Sequence, residues 1–259
     1  MGGNAFELGS SSIMRNEVGP TLDSFFAEVL MPAGVEKFVP IGSTGKKSAS
    51  NDIDLAIGPI PEDEDVMSYK KQLLSSIVSI LGPENAKLVG QNIAVNYPIE
   101  SADPDRQDLR VQIDLMLSKD PDATAWLMSG TGDEKVKGVY RNLLLSYIAK
   151  IQSTPDRKIT LSFPGGIQVQ EAGEITVPRT EDPEEILRIL EIDGSPEDLS
   201  DFESLLDVIQ GQRKFSLDGF DAYMSPYLKR DPENARRAID VFRSKEIIRE
   251  SIRAMLELS

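Results

Sequence analysis

The stretch FVPIGSTGKKSASNDIDLAI, residues 38–57, decides how the N-terminal part of this chain folds. Residues 37–41 predict a short strand, Gly42-Ser43 predicts a turn, and residues 53–57 predict a second strand. Because side chains alternate along a strand, Asp52 and Asp54 should point to the same face. Two unit charges about 4 Å apart repel by about 4 kcal/mol at an effective dielectric constant of about 20. The pair therefore indicates a divalent cation between the carboxylates.

Composition narrows the available chemistry. The chain has 259 residues, no cysteine and no histidine, which excludes thiol nucleophiles, Ser-His-Asp triads and zinc held by Cys or His. Carboxylate oxygens favour Mg²⁺, with Mn²⁺ as the alternative. The net charge of -15 opposes sequence-independent binding to nucleic acid, although a local basic patch remains compatible with it. With no long apolar run and no signal peptide, we expect a cytoplasmic protein without a membrane segment.

The hydrophobic pattern predicts an α+β fold with a mainly helical C-terminal region. Because Gly19-Pro20 interrupts the first helix, its strong part is expected to begin near Thr21. We place a domain boundary near Pro155, which gives domains of 1–155 and 156–259. The predicted elements are helices over 11–31, 66–81, 135–152, 183–192, 196–210 and 232–258, strands over 37–41, 53–57, 87–97 and 109–117, and a hairpin over 158–170.

Asp114 adds a third carboxylate. It lies in Val-Gln-Ile-Asp-Leu-Met-Leu, within the strand predicted for residues 109–117. An aspartate among strand residues that pack in a core is costly unless it meets a cation or a hydrogen-bond donor. If this strand lies beside the strand of Asp54, three carboxylates converge and can hold two Mg²⁺ ions.

These motifs resemble the nucleotidyltransferase superfamily with the DNA polymerase β-like catalytic fold. The resemblance covers roughly residues 36–118, and the Met-Gly-Gly-Asn-Ala-Phe start with Gly45-Lys46-Lys47 is similar to phage-encoded members. It implies a small mixed sheet with flanking helices in the catalytic domain 1–155. It also implies that Asp52, Asp54 and Asp114 are the catalytic metal ligands and that Gly42 and Ser43 contact the triphosphate.

Further cations are candidates for the nucleotide site. Lys46 and Lys47 lie in the motif loop, where they would neutralise triphosphate charge, and the alternative is that they are solvated loop charges. In the helix predicted over 135–152, Lys135 and Arg141 are candidates to line the nucleotide cleft, whereas the ordinary alternative is a solvent-exposed helix face.

The sequence-based hypothesis is transfer of a nucleoside monophosphate from an NTP to an acceptor hydroxyl, with release of pyrophosphate. The acceptor is left open among an RNA or tRNA 3′ end, a protein and a small molecule, and the oligomeric state is also open. Two alternatives remain. One is a catalytically silent nucleotide- or partner-binding module that retains the fold. The other is a nucleotide-sugar glycosyltransferase, which can also use Asp-x-Asp.

Overall fold

The computed structural model describes residues 5–6, 9–61, 63–128, 138–163, 165–209 and 215–257, and it has the α+β architecture predicted from the sequence. The chain divides into two compact units. The first contains the described residues through Ala125, and the second contains residues 126–128 and the described residues from 138 onward.

The first unit is built on a five-stranded mixed sheet. The strands of the first unit are β1 (Ile13–Met14), β2 (Lys37–Pro40), β3 (Ala49–Ser50), β4 (Asp52–Gly58), β5 (Ala86–Val89), β6 (Asn92–Pro98) and β7 (Arg110–Leu117). The strand order of the sheet is β2-β4-β7-β6-β5, in which β4 and β7 are parallel and the other neighbours are antiparallel. A short ribbon of β1 and β3 accompanies the sheet.

One face of this sheet is apolar and forms the core of the first unit. Ile53 and Leu55 of β4 and Ile113 and Leu115 of β7 are fully buried and belong to one hydrophobic cluster with residues of helices α1 (Arg15–Phe25) and α2 (Val66–Leu81). The alternate residues of the same strands, including Asp54 and Asp114, are therefore directed to the opposite face. Period-two alternation in the sequence thus fixes which side of the sheet carries the carboxylates.

The helix bounds agree with the pattern for α2 and differ for α1. Helix α2 spans the predicted residues, and the Asp65 side chain caps its first turn by accepting from Ser68 N–H at 2.9 Å. Helix α1 begins at Arg15 and contains Pro20, so the predicted start near Thr21 is wrong; a π-helical turn over Phe26–Leu30 follows it. Pro20 is tolerated because it lies on the exposed side, where water can solvate the carbonyl that loses its partner.

The second unit combines a small sheet with helices. Strands β8 (Arg157–Ser162), β9 (Gly166–Glu171) and β10 (Glu174–Thr180) form an antiparallel sheet, so a third strand extends the predicted hairpin. The helices are α3 (Pro121–Leu127), which begins in the first unit, and α4 (Gly138–Gln152), α5 (Pro183–Ile189), α6 (Phe202–Ile209), α7 (Leu217–Leu228) and α8 (Pro232–Glu257).

The division between the units falls before α4, whereas the sequence placed a boundary after it, near Pro155. The difference has a packing cause. Leu144 and Ile148 of α4 are buried in the same hydrophobic cluster as Ile186 of α5 and Phe202 of α6. Strong helical periodicity reveals that a helix has an apolar side, but not which neighbouring core that side joins.

Strand prediction also missed one turn. The sequence predicted a single strand over residues 87–97, and the structure has the hairpin of β5 and β6 there, with Gly90 at φ 58° in the connection. Within the described part of the chain, no helix combines the length and the apolar character needed to cross a membrane.

Candidate active site

Strand pairing brings two of the three predicted carboxylates side by side. In the parallel pair of β4 and β7, Asp54 lies directly opposite Asp114, and Asp52 lies opposite Gln112. Asp52 and Asp54 are two residues apart on β4 and therefore share a face. The sequence predicted this convergence only on the condition that the two strands are neighbours, and the structure meets that condition.

The electrostatics of these carboxylates reflect their crowding. Burial, then the negative charges of Asp52 and Asp114, raise the pKa of Asp54 to about 7 from an ordinary 3.8. Burial and the charge of Asp52 also raise the pKa of Asp114, against a lowering effect from its hydrogen bond with Gln112. Like charges next to each other in a partly buried site disfavour ionisation, and a cation would reverse this effect.

The Gly-Ser turn packs against Asp54. Gly42 has φ 62°, and a Cβ atom added to it would lie 3.3 Å from Asp54 Oδ2. Glycine is therefore suited here both by its backbone conformation and by the close approach of the carboxylate. Ile41 N–H donates to the Asp54 carbonyl at 2.9 Å, which continues the β2–β4 pairing into the turn.

Thr44 is a site residue that sequence reasoning missed. It is buried, and its hydroxyl accepts from the Asp54 N–H at 2.9 Å, so it holds the motif loop against strand β4. A threonine in a Gly-Ser-Thr-Gly loop has no distinguishing sequence signal, because hydroxyl residues are common in turns.

The two motif-loop lysines lie beside a groove. Lys46 N–H donates to the Ser43 carbonyl at 3.1 Å, which closes the turn, and both Ser43 and Lys46 are partly exposed whereas Lys47 is exposed. The groove belongs wholly to the first unit, and the three aspartates are not among its lining residues, which are Met14, Arg15, Asn16, Lys46, Lys47, Ser48 and Ala49.

Arg141 lies in a different setting from the predicted cleft. Its side chain is fully buried within the second unit, where Nε donates to the Leu199 carbonyl at 2.8 Å and Nη1 to the Trp126 carbonyl at 3.1 Å. The guanidinium also lies 4.2 Å from the Trp126 ring centroid. Arg141 therefore binds backbone carbonyls inside the second unit, and its burial does not support the predicted contact with a nucleotide. The predicted contact at Lys135 lies outside the described residues.

The three aspartates supply the type of ligand atom that Mg²⁺ and Mn²⁺ prefer. Hard cations prefer carboxylate oxygens, and Asp52, Asp54 and Asp114 supply them from neighbouring strands. Among the residues that the structure describes, no group of three or more His, Cys, Asp or Glu side chains is already gathered as a metal centre. The residues thus fit the ion in chemistry and strand position, and their side chains would have to converge further to ligate it.

Comparison with models of known protein families finds no match, and comparison with curated proteins finds no significant match.

Proposed function

We propose that this chain is a metal-dependent nucleotidyltransferase whose first unit is a polymerase β-like catalytic core. It would transfer a nucleoside monophosphate from an NTP to an acceptor hydroxyl. The observation that supports this proposal best is the in-register parallel pairing of Asp54 with Asp114, next to a turn at Gly42 where an added Cβ atom would lie 3.3 Å from Asp54 Oδ2. The third proposed metal ligand, Asp52, shares the face of Asp54.

In the proposed reaction, the acceptor oxygen forms a bond to the α-phosphorus of the NTP. The bond from that phosphorus to the bridging oxygen breaks, and pyrophosphate leaves with the bonding electrons. The hydroxyl proton must be accepted as the oxygen attacks. Asp114 is the proposed acceptor for it, as the motif resemblance implies, because a positioned carboxylate can act as a general base.

Asp52, Asp54 and Asp114 would hold Mg²⁺ or Mn²⁺, with two ions in the full site. Bound there, the ions would supply Lewis-acid stabilisation of the phosphate oxygens. The turn at Gly42 and the Ser43 hydroxyl would contact the triphosphate, since backbone N–H groups and hydroxyls in a tight turn suit anionic oxygens. Lys46 and Lys47 would balance the remaining negative charge.

Arg141 has no role in this proposal, because its guanidinium is engaged inside the second unit. A cytoplasmic setting is part of the proposal, since the reaction consumes NTP and the chain contains no cysteine that would need oxidation. The acceptor stays open among RNA, including tRNA, a protein and a small molecule.

The test uses the purified full chain, Mg²⁺ and each NTP labelled at the α-phosphate, with total RNA, extract protein or a small-molecule fraction as acceptor. Transfer of α-label that disappears in Asp114→Asn supports the proposal, while Asp63→Asn, an exposed turn carboxylate of the first unit, serves as the charge-matched control. Label transfer that survives Asp114→Asn contradicts the assignment of the site.

Thermal melting with ligands, together with the transfer assay, separates the alternatives. A shift of the melting temperature with a UDP-sugar and Mg²⁺, but not with any NTP, favours the glycosyltransferase. Nucleotide binding with no transfer to any acceptor fraction favours the silent module.

A further inference from the structure

Gln112 connects Asp114 to the N-terminal segment of the chain. It is buried at 3% exposure in β7 and lies two residues before Asp114 on the same face. Its Nε2 atom lies 2.9 Å from Asp114 Oδ1 and 3.0 Å from Oδ2. Its Oε1 atom accepts from the Ala5 N–H at 2.9 Å. One side-chain amide therefore joins residues that are far apart in the sequence.

The hydrogen bond from Ala5 determines which end of the amide faces Asp114. A carboxamide has a donating end and an accepting end, and only the donating end can bind a carboxylate. The Ala5 N–H can only donate, so it holds Oε1 on its own side and leaves Nε2 on the side of Asp114. With the amide turned round, oxygen would face oxygen at Asp114, and a donor would face a donor at Ala5.

The N-terminal segment is held in place by further contacts. The Phe6 ring is buried, with Lys87 Nζ 4.9 Å from its centroid, and Ser11 N–H donates to the Arg110 carbonyl at 2.7 Å. Lys87 lies opposite Ala94, which in turn lies opposite Asp114. The described residues that follow Ala5 are therefore anchored at Phe6 and Ser11, next to β5 and β7 of the same sheet.

The bond from Gln112 also leaves room for a cation. A carboxylate offers about four acceptor positions, two on each oxygen. Nε2 uses the side of the carboxylate nearest Gln112, which leaves positions on each oxygen for a metal ion. Fixing the carboxylate in this way reduces the rotational freedom that a metal ion would otherwise have to restrict.

We propose that Gln112 is a positioning residue for Asp114 and that the Ala5 N–H orients it, so that the N-terminal segment helps to organise the catalytic carboxylates. This inference rests on the proposed function, because it assigns Asp114 to metal binding. Beyond that function, it makes the orientation of Asp114 depend on the backbone N–H of Ala5, a residue outside the motif.

The test measures Mn²⁺ affinity by electron paramagnetic resonance in the full chain and three variants. Gln112→Leu removes the hydrogen bonding to Asp114 and the acceptor for Ala5 N–H. Ala5→Pro removes the backbone donor alone, and Ala5→Gly keeps that donor as the matched control. We expect Gln112→Leu to weaken Mn²⁺ binding by about 10- to 100-fold, the range typical of lost outer-shell partners. Ala5→Pro should weaken it in the same direction by a smaller factor, and Ala5→Gly should leave it unchanged.

Two further measurements separate positioning from a general structural effect. The melting temperature without metal shows whether each variant is folded. If Gln112→Leu is not folded, the Mn²⁺ affinity of Ala5→Pro decides the inference. In steady-state transfer assays, kcat should fall while KM for the NTP stays close to that of the wild type. Mn²⁺ affinity in Gln112→Leu and Ala5→Pro equal to that of the wild type overturns the inference and leaves the proposed function standing. A wild-type chain that binds no Mn²⁺ overturns both.

Discussion

Replacing Asp54 by asparagine should stabilise the metal-free protein while abolishing nucleotide transfer. The folded state raises the pKa of Asp54 from 3.8 to about 7, and this difference corresponds to about 4 kcal/mol of unfavourable free energy when the carboxylate is charged. Asparagine has nearly the same shape and removes that charge. Because its amide must also find hydrogen bonds in the site, we expect a gain of about 2–4 kcal/mol, or roughly 5–15 °C in melting temperature.

The sign of the pH dependence follows from the raised pKa of Asp54. Below pH 3.8 the carboxyl is protonated in both the folded and the unfolded chain, so it contributes no difference. As the pH rises toward about 7, the unfolded chain ionises first and the folded state loses stability; above about 7 the loss is complete. The stability gain of Asp54→Asn over the wild type should therefore be near zero at pH 4 and largest above pH 7.

The assay is thermal melting followed by circular dichroism from pH 4 to pH 8.5, with EDTA present. Asp63→Asn is the control, because it makes the same change in charge at an exposed turn of the same unit. Mg²⁺ should raise the melting temperature of the wild type and leave that of Asp54→Asn unchanged. A metal-free Asp54→Asn variant that melts at or below the wild-type temperature at pH 8 would refute the claim that carboxylate crowding destabilises the folded protein.

Three other substitutions test separate parts of the structure. Gly42→Ala should cost about 1–2 kcal/mol of stability and most of the transfer activity. Its control is Gly90→Ala, where φ is similarly positive but the space around an added Cβ is open, so only stability should fall. Melting and transfer assays distinguish the two variants. Glu17→Gln should cost about 3 kcal/mol in denaturant unfolding, since buried hydrogen bonds lower the pKa of Glu17 from 4.5 to about 2. The stability that Glu17 contributes is present above pH 4.5 and is lost as the pH falls through about 2. The control is Asp122→Asn at an exposed ion pair, which should change stability by less than about 1 kcal/mol. Arg141→Met should lower the melting temperature of the second unit without changing KM for the NTP, and a raised KM with unchanged melting would contradict its structural role.

Much of the fold of the first unit could be predicted because local patterns determine it. Alternation in residues 109–117 defines β7 and its two faces, and the apolar side of residues 66–81 defines α2 within its observed bounds. The start of α1 could not be predicted, because proline inside a helix is usually unfavourable and its tolerance here depends on which side faces water. The end of the first unit was missed for a related reason, since the partner core of α4 is a property of the whole fold.

The candidate site shows the same limit. Asp52, Asp54 and Gly42 form a local motif, and Asp114 is recognisable because a charged residue in an apolar strand needs an explanation. Gln112 carries no such signal in the sequence. The hydrogen bond that its Oε1 accepts from the Ala5 N–H joins residues that are 107 positions apart in the chain. Arg141 illustrates the opposite error: a charge on a predicted helix suggested a nucleotide contact, and the tertiary structure buries it against backbone carbonyls.

The contrast between Glu17 and Asp54 separates a carboxylate whose charge stabilises the folded state from one whose charge opposes it. Glu17 accepts hydrogen bonds from Arg106 and Ser101, and its pKa falls to about 2, so its charge stabilises the folded state. Burial and the charges of Asp52 and Asp114 raise the pKa of Asp54 to about 7, so its charge opposes the folded state. The proposed cation would offset this cost, because a ligand that binds only the folded state adds to its stability. Substitutions at the two positions should therefore change stability in opposite directions, and only the one at Asp54 should remove the response to Mg²⁺.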